Sequence, residues 1–184
     1  MGQGLPDYGT HHPILAAAVL ATEGPIIELG CGHYSTPLLH QMSLVSGRRL
    51  VSTETDAEWM SLFTDMASDL HTFQHVDPDG WGRFPLEGRM WGVAFVDCAP
   101  GEYRKIAIER LKEHAQLIVV HDTETDHGTG ADYQLEPVFA RFPHRSDYKR
   151  YRPYTTVVSA TLAFPISQCD QQWDPGTTHN PSDH

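Results

Sequence analysis

The 184-residue sequence predicts an α/β fold, a doubly wound and mostly parallel sheet of seven strands closed by a terminal antiparallel strand pair. Three observations carry that expectation. Five short apolar runs alternate with helix-length segments, the spacing of repeated strand–helix–strand units. An acid stands at the end of each run: Glu28, Glu54, Asp77, Asp97 and Asp122. Right-handed crossovers bring these ends to one edge of the sheet, the edge where such sheets bind ligands. Two further strand-like runs, 147–151 and 155–164, pair antiparallel across Arg152-Pro153-Tyr154.

Taken in order, residues 1–12 read as an irregular arm, and Pro13 opens a helix over 13–21 that Gly24 closes. The apolar run from Pro25 is a buried strand that ends in the acid Glu28, followed at once by Gly30-Cys31-Gly32. The next helix starts at Pro37, capped by Ser35 or Thr36, and stops near Gly47. The second strand is 49–53. Asp56 then N-caps a helix carrying Trp59, Leu62, Phe63, Met66 and Leu70. The third strand is 71–76, followed by a polar, aromatic loop over 77–89. The fourth strand is 91–96, a helix spans 102–113, and the fifth strand is 116–120. A Gly/Thr/Asp-rich loop over 123–132 and a helix over 133–142 lead to the final strand pair. Residues 165–184 are polar, Pro-rich and aperiodic, which makes them a flexible tail behind a single domain over 1–164.

Twenty-four acids against 13 bases give a net charge of −11, which repels phosphate backbones and argues against a nucleic-acid partner. The one basic run, Arg141, Arg145, Lys149, Arg150 and Arg152 with Tyr148 and Tyr151, reads as a solvated edge. No apolar run reaches membrane-spanning length and the start lacks a secretory signal, so no membrane partner and a cytoplasmic location are expected. The three cysteines, Cys31, Cys98 and Cys169, form neither a disulfide framework nor a zinc pattern. The final strand pair offers an edge that a second copy could cover, as in a homodimer.

The stretch from Glu28 to Leu39 holds the chemistry. Glycines at a strand-to-helix turn let backbone approach a ligand, and the helix start favours anionic groups. A dinucleotide-type turn would keep a third glycine where Ser35 stands, so a nicotinamide cofactor fits less well. The acid–x–Gly–x–Gly form of Glu28, Gly30 and Gly32 resembles the first motif of class I S-adenosylmethionine-dependent methyltransferases, whose fold is Rossmann-like. The stretch from Phe95 to Tyr103, with His121-Asp122-Thr123, resembles the small bacterial macrocin-type O-methyltransferases. That subgroup carries a histidine in the first stretch; here it is absent and Pro100-Gly101 stands nearby, which bears on the metal and base assignments.

The resemblance implies S-adenosylmethionine as cofactor. Backbone at Gly30, Cys31, Gly32 and His33 would meet its methionine part, with Glu28 fixing the turn or reaching the ammonium through water. Glu54, beside Thr55, would accept the two ribose hydroxyls, since two carboxylate oxygens match two adjacent O–H donors. Asp77 would reach the adenine amino group, with Trp81 or Phe84 as a flat wall. Asp97 and Asp122 would hold Mg²⁺, or Asp97 would orient cofactor or acceptor without a metal. His121 is the first choice for general base, with His33 and His12 behind it. Tyr8, His11 and His12 belong to an arm that would fold over the site as a lid. The implied reaction is in-line methyl transfer to a small-molecule acceptor, at oxygen. The alternatives are a non-catalytic cofactor-binding module and a nucleic-acid methyltransferase.

Overall fold

The computed structural model describes residues 9–125 and 133–166. Its seven strands are β1 (Ile26–Leu29), β2 (Leu50–Glu54), β3 (His71–His75), β4 (Trp91–Val96), β5 (Ala115–His121), β6 (His144–Tyr148) and β7 (Thr155–Ser159). They form one sheet in the order β3-β2-β1-β4-β5-β7-β6. Strands β1 to β5 pair in parallel, and β7 runs antiparallel to both β5 and β6. The α/β class, the strand number and the terminal antiparallel pair are as the sequence predicts. Among the described residues five α-helices pack on it: α1 (His12–Leu20), α2 (Ser35–Ser46), α3 (Ala57–Ser61), α4 (Arg104–Leu111) and α5 (Glu136–Phe139).

Alternation along the central strands builds two cores, one on each face. Ile27, Leu29, Ala94, Val96, Ile118 and Val120 meet the α4 and α5 side, with Ala107, Ile108, Leu111 and Phe139. Ile26, Val93, Phe95, Leu117 and Val119 meet the α1 and α2 side, with Ile14, Leu15, Ala18 and Leu39. Each of the valine, leucine, isoleucine and phenylalanine side chains among them contributes roughly 1.5–3 kcal/mol by leaving water. Ile166 also joins the second core, two residues beyond the predicted end of the domain.

Several elements differ from expectation for local reasons. Helix α2 begins at Ser35, so Ser35 and Thr36 lie inside it and no side chain caps it. Thr36 is instead engaged with Glu28, as described below. Asp56 does cap α3, accepting the Glu58 and Trp59 N–H groups at 2.9 and 3.0 Å. Beyond α3 only Phe63 of the expected stripe is fully buried, and the segment breaks into a 3-10 turn at Thr64–Met66. Strand β7 stops at Ser159 because its hydroxyl takes the N–H groups of Thr161 and Leu162. Strand β6 lies three residues earlier than predicted, and Tyr148 pairs with Thr155. The helix expected over 133–142 is reduced to α5, and the helix expected over 102–113 opens with a 3-10 turn at Gly101–Tyr103.

No α-helix crosses from β3 to β4. Trp81 and Leu86 of the connecting loop are fully buried and plug the first core. Arg110 of α4 fastens the loop, donating to the Trp81 and Phe84 carbonyls at 2.6 Å and pairing with Glu87 at 2.6 Å. Among the described residues no helix is long and apolar enough to cross a membrane. The expected arm before residue 9, most of the 123–132 loop, Cys169 and nearly all of the expected tail lie outside the described residues.

Candidate functional site

The turn after β1 is shaped by close strand approach. Gly30 holds φ at +96°, and a Cβ there would lie 2.5 Å from the Asp97 carbonyl oxygen. Only glycine combines that backbone angle with that contact. Glu28 does not end the strand at the ligand edge, as expected; it is the third residue of β1 and wholly buried. Its carboxyl receives the hydroxyls of Thr36, at 3.0 Å, and Ser52, at 2.5 Å. Thr36 in turn accepts the Gly32 N–H at 2.9 Å. Glu28 thus braces the turn from below. Burial pushes this carboxyl up to about 7, against the pull of its hydroxyl partners.

Glu54 closes β2 and is almost fully buried. One oxygen accepts the Cys31 N–H at 3.0 Å; the other accepts the N–H groups of Thr55 and Asp56 and the Thr55 hydroxyl. Four donors reach a group with about four acceptor directions, three of them on one oxygen, so an incoming hydroxyl meets the less loaded oxygen. Trp59 of α3 donates its indole N–H to the Cys31 carbonyl at 2.8 Å and crosses His33 edge to face.

A charged cluster fills the ends of β4 and β5. The buried Arg104 guanidinium touches Asp97 at 2.8 Å and Asp122 at 3.3 Å, and donates to the carbonyls of Cys98 and His121. Tyr133 stacks over it at 4.6 Å and packs on Gly101, where a Cβ would collide with the ring. His121 Nδ1 faces Asp97 at 3.3 Å and Asp122 at 3.5 Å. Its Nε2 lies 3.3 Å from the Thr10 hydroxyl, which donates to the Pro153 carbonyl at 2.6 Å. That commitment leaves Thr10 only an acceptor toward His121, so both imidazole nitrogens face acceptors and suit the doubly protonated ring. Burial alone would lower His121, but the Asp97 hydrogen bond and the two carboxylate charges outweigh it and raise the pKa. Burial likewise pushes Asp97 up, and His121 and Arg104 more than offset it, holding the carboxyl below its ordinary range.

A cavity of about 320 Å³ opens over this cluster, lined among others by Cys31, Gly32, His33, Trp59, Asp97, His121 and Asp122. His11 forms part of its wall. It is 2% exposed, both ring nitrogens lack a partner among the described residues, and its ring crosses that of His121 at 4.6 Å. Burial, then the neighbouring His121, push its pKa down to about 3, so it is neutral.

The structure therefore brings Cys31, Gly32, His33, Asp97, His121 and Asp122 around one space, with Gly30, Glu54 and Thr55 directly behind it. Asp77 is exposed, away from the lining of this cavity. Trp81 is wholly buried in the core and offers no open face. His12 lies 2.9 Å from the Tyr34 carbonyl rather than in the cavity lining. Of the expected lid, His11 does reach the site, whereas Tyr8 lies outside the described residues. Sequence reasoning missed Arg104. Its signal was present: Arg104, Ala107, Ile108 and Leu111 form the buried stripe of α4, so an arginine stands at a core position.

The expected Mg²⁺ does not fit. Asp97, His121 and Asp122 each offer a ligand atom within 4.8 Å of the others. The Arg104 guanidinium already sits between the two acids, and the third ligand is an imidazole, whereas Mg²⁺ demands an octahedron of oxygens. The acids here are neutralised by protein cations.

The basic run is largely paired internally: Arg141 meets Glu109, Arg145 meets Glu136 and Asp147, and Lys149 meets Asp147.

No protein-family model matches this chain, and no curated protein matches it by sequence. Solved structures do match. The catalytic domain of human METTL16 in complex with an RNA hairpin is similar over 88% of this chain and 74% of that chain, with TM-score 0.61 and 12% identity. The N-terminal domain of human METTL16 with bound SAH is similar over 88% and 73%, with TM-score 0.58 and 14% identity. A human methyltransferase 10 domain-containing protein is similar over 83% and 81%, with TM-score 0.56 and 17% identity. The chain has the Rossmann-like fold found in these methyltransferases.

Proposed function

We propose that this chain transfers a methyl group from S-adenosylmethionine to a small-molecule acceptor, at oxygen, by in-line displacement. The observation that carries this reading is an acid-lined cavity directly over the Gly30–Gly32 turn, at the ligand edge of a fold shared with methyltransferases. When bound there, the cofactor supplies an electrophilic methyl group.

The chain's own residues then divide the work. Backbone of Cys31, Gly32 and His33 meets the methionine part, while Glu54 holds the ribose hydroxyls on its less loaded oxygen. Trp59 walls the cavity. On the acceptor side, Arg104 and His121 fix the Asp97 and Asp122 carboxylates, and positioning supplies most of the rate. The acceptor's proton leaves to an oxygen of the Asp97 or Asp122 carboxylate while His121 is doubly protonated; His121 itself acts as base only after its ring has lost a proton to water. The likeness of the segments around Asp97 and His121-Asp122-Thr123 to the macrocin-type subgroup supports oxygen as the target.

A second reading is methylation of RNA, because one solved structure of similar fold holds an RNA hairpin. The net charge of −11 and the internally paired basic run favour the small molecule. The test is calorimetry of S-adenosylmethionine and S-adenosylhomocysteine on wild type and Glu54→Ala, followed by methyl-transfer assays on phenols, sugar hydroxyls and RNA hairpins. Micromolar binding that the substitution abolishes, with turnover on a hydroxyl compound and no response to Mg²⁺, is the expected result. Absence of binding to folded protein sinks the proposal. Binding with no turnover marks a cofactor-binding module, and turnover on hairpins alone marks an RNA enzyme.

A further inference from the structure

Behind the glycine turn lies a chain of polar contacts that the proposed chemistry does not use. His40 of α2 is half-buried, and its Nδ1 lies 3.1 Å from Nδ1 of the fully buried His71 on β3. His71 Nε2 lies 2.9 Å from the Ser52 hydroxyl, and Ser52 contacts Glu28. Glu28 then reaches the cavity through Thr36 and the Gly32 N–H. Every link is within hydrogen-bond distance, and each member from His71 to Thr36 is buried.

With both imidazole rings neutral, counting protons along this chain allows only two consistent arrangements. In the first, Glu28 is a carboxylate: Ser52 donates to it, His71 Nε2–H donates to Ser52, and His40 Nδ1–H donates to His71 Nδ1. In the second, Glu28 is protonated and donates to Ser52, Ser52 donates to His71 Nε2, and His71 Nδ1–H donates to His40. The second holds one proton more, the acid proton on Glu28, and every donor in the path is reversed. A proton taken up by His40 from water therefore appears on Glu28 through three short transfers, with no charged group crossing the core.

We propose that His40, His71 and Ser52 form a proton path that sets the charge on Glu28 and couples proton release to binding of a cation at the glycine turn. The identity of that cation rests on the cofactor assignment above. S-adenosylmethionine carries a positive sulfur that S-adenosylhomocysteine lacks, so the carboxylate form of Glu28 favours the substrate cofactor over its product. The other groups facing Glu28 agree with a proton that is easily held and easily lost. Asp97, from the end of β4, opposes ionisation, while Ser35, Thr36 and Ser52 support it. The Cys31 thiol above is pushed up by burial and by Glu28, and stays neutral. Burial, then His40, push His71 down to about 4, so it conducts by exchanging tautomers rather than by becoming a cation.

Two measurements test this. Nitrogen-15 NMR of the unliganded chain reads which ring nitrogen of His40 and His71 carries the proton between pH 6 and 8.5. The expected result is a joint reversal of both tautomers in wild type. Glu28→Gln, whose amide neither gains nor loses a proton in this range, holds one arrangement at every pH, and Ser52→Ala uncouples the two ends. Fixed tautomers in wild type, or an unchanged reversal in Glu28→Gln, overturn the path. Calorimetry at pH 7 in buffers of different ionisation enthalpy then counts protons. S-adenosylmethionine should release about half a proton from wild type. S-adenosylhomocysteine should release less, and Glu28→Gln none. Binding of both without proton release overturns the coupling. Absence of binding would remove the cofactor assignment while the tautomer reversal still decides the path.

Discussion

Replacing Arg104 by Met tests the cluster at the ends of β4 and β5 most directly. The substitution keeps the aliphatic stem in the α4 stripe but removes the cation from between Asp97 and Asp122. It also strips the donors from the Cys98 and His121 carbonyls and the cation from the Tyr133 ring. Breaking a buried charge pair costs about 3–5 kcal/mol, so a loss of roughly 4 kcal/mol is expected near pH 8. Its pH dependence has a definite sign. In wild type the folded Asp97 carboxyl is held below its ordinary value, so it stabilises above that value and the contribution disappears as acid protonates it. In the variant Arg104 no longer opposes burial, so the Asp97 pKa rises and that contribution shrinks. The gap between the two proteins should thus be widest at pH 7–8 and close toward pH 4. Urea denaturation followed by tryptophan fluorescence measures it, and the double variant Arg104→Met/Asp97→Asn should recover part of the loss. A gap that stays constant with pH, or stays under about 1 kcal/mol, would refute the buried-network argument.

Three further outcomes are expected. Glu28 has a folded pKa raised to about 7 from 4.5, so its contribution is full at acid pH and is lost as pH rises through that range. Glu28→Gln should match wild type near pH 4 and exceed it by about 3 kcal/mol at pH 8.5 in thermal or urea unfolding, since each unit is worth about 1.4 kcal/mol. Glu54→Gln should keep its circular dichroism yet bind S-adenosylmethionine at least about tenfold more weakly, because its amide would point a donor at N–H groups that need an acceptor; an unchanged Kd would remove Glu54 from the site. His11→Leu should stabilise the fold by about 1 kcal/mol, as a buried imidazole with two unpaired nitrogens is replaced by an apolar group, while lowering methyl-transfer turnover. Lower stability in that variant would show that His11 is paired in solution.

The sheet was legible because its strands are near-continuous apolar runs, such as 93–96 and 117–120, bounded by acids and turns. Four of the five acids expected along the ligand edge follow or end their strands there. Glu28 was misplaced because strand alternation, which points it to the α1 and α2 face, shows only once the strand's last residue is known to be Leu29. The arrangement of Thr10, Asp97 and His121 was hidden for a different reason. Thr10 and His121 are 111 residues apart, and no local pattern encodes a contact between residues so distant in sequence. Arg104 is the instructive miss. A basic residue beside Lys105 looks like surface until the stripe of α4 is drawn, and then its position demands buried partners. The basic run, read from the sequence as a solvated edge, is largely paired because tertiary structure supplies Glu109, Glu136 and Asp147 as partners, which no local pattern shows.

The loop between β3 and β4 stands where a helix would normally be, and Arg110 is its main clasp. A helix carries its own backbone ladder and melts only with the domain. A segment held by one guanidinium and a few indole and tyrosine hydrogen bonds opens on its own, at a free energy set by those side chains and by two plugs, Trp81 and Leu86. Amide hydrogens of residues 81–88 should consequently exchange far ahead of the central strands. Weakening the Arg110 clasp should then turn this stretch into the first place a protease cuts, while the sheet beneath it stays intact.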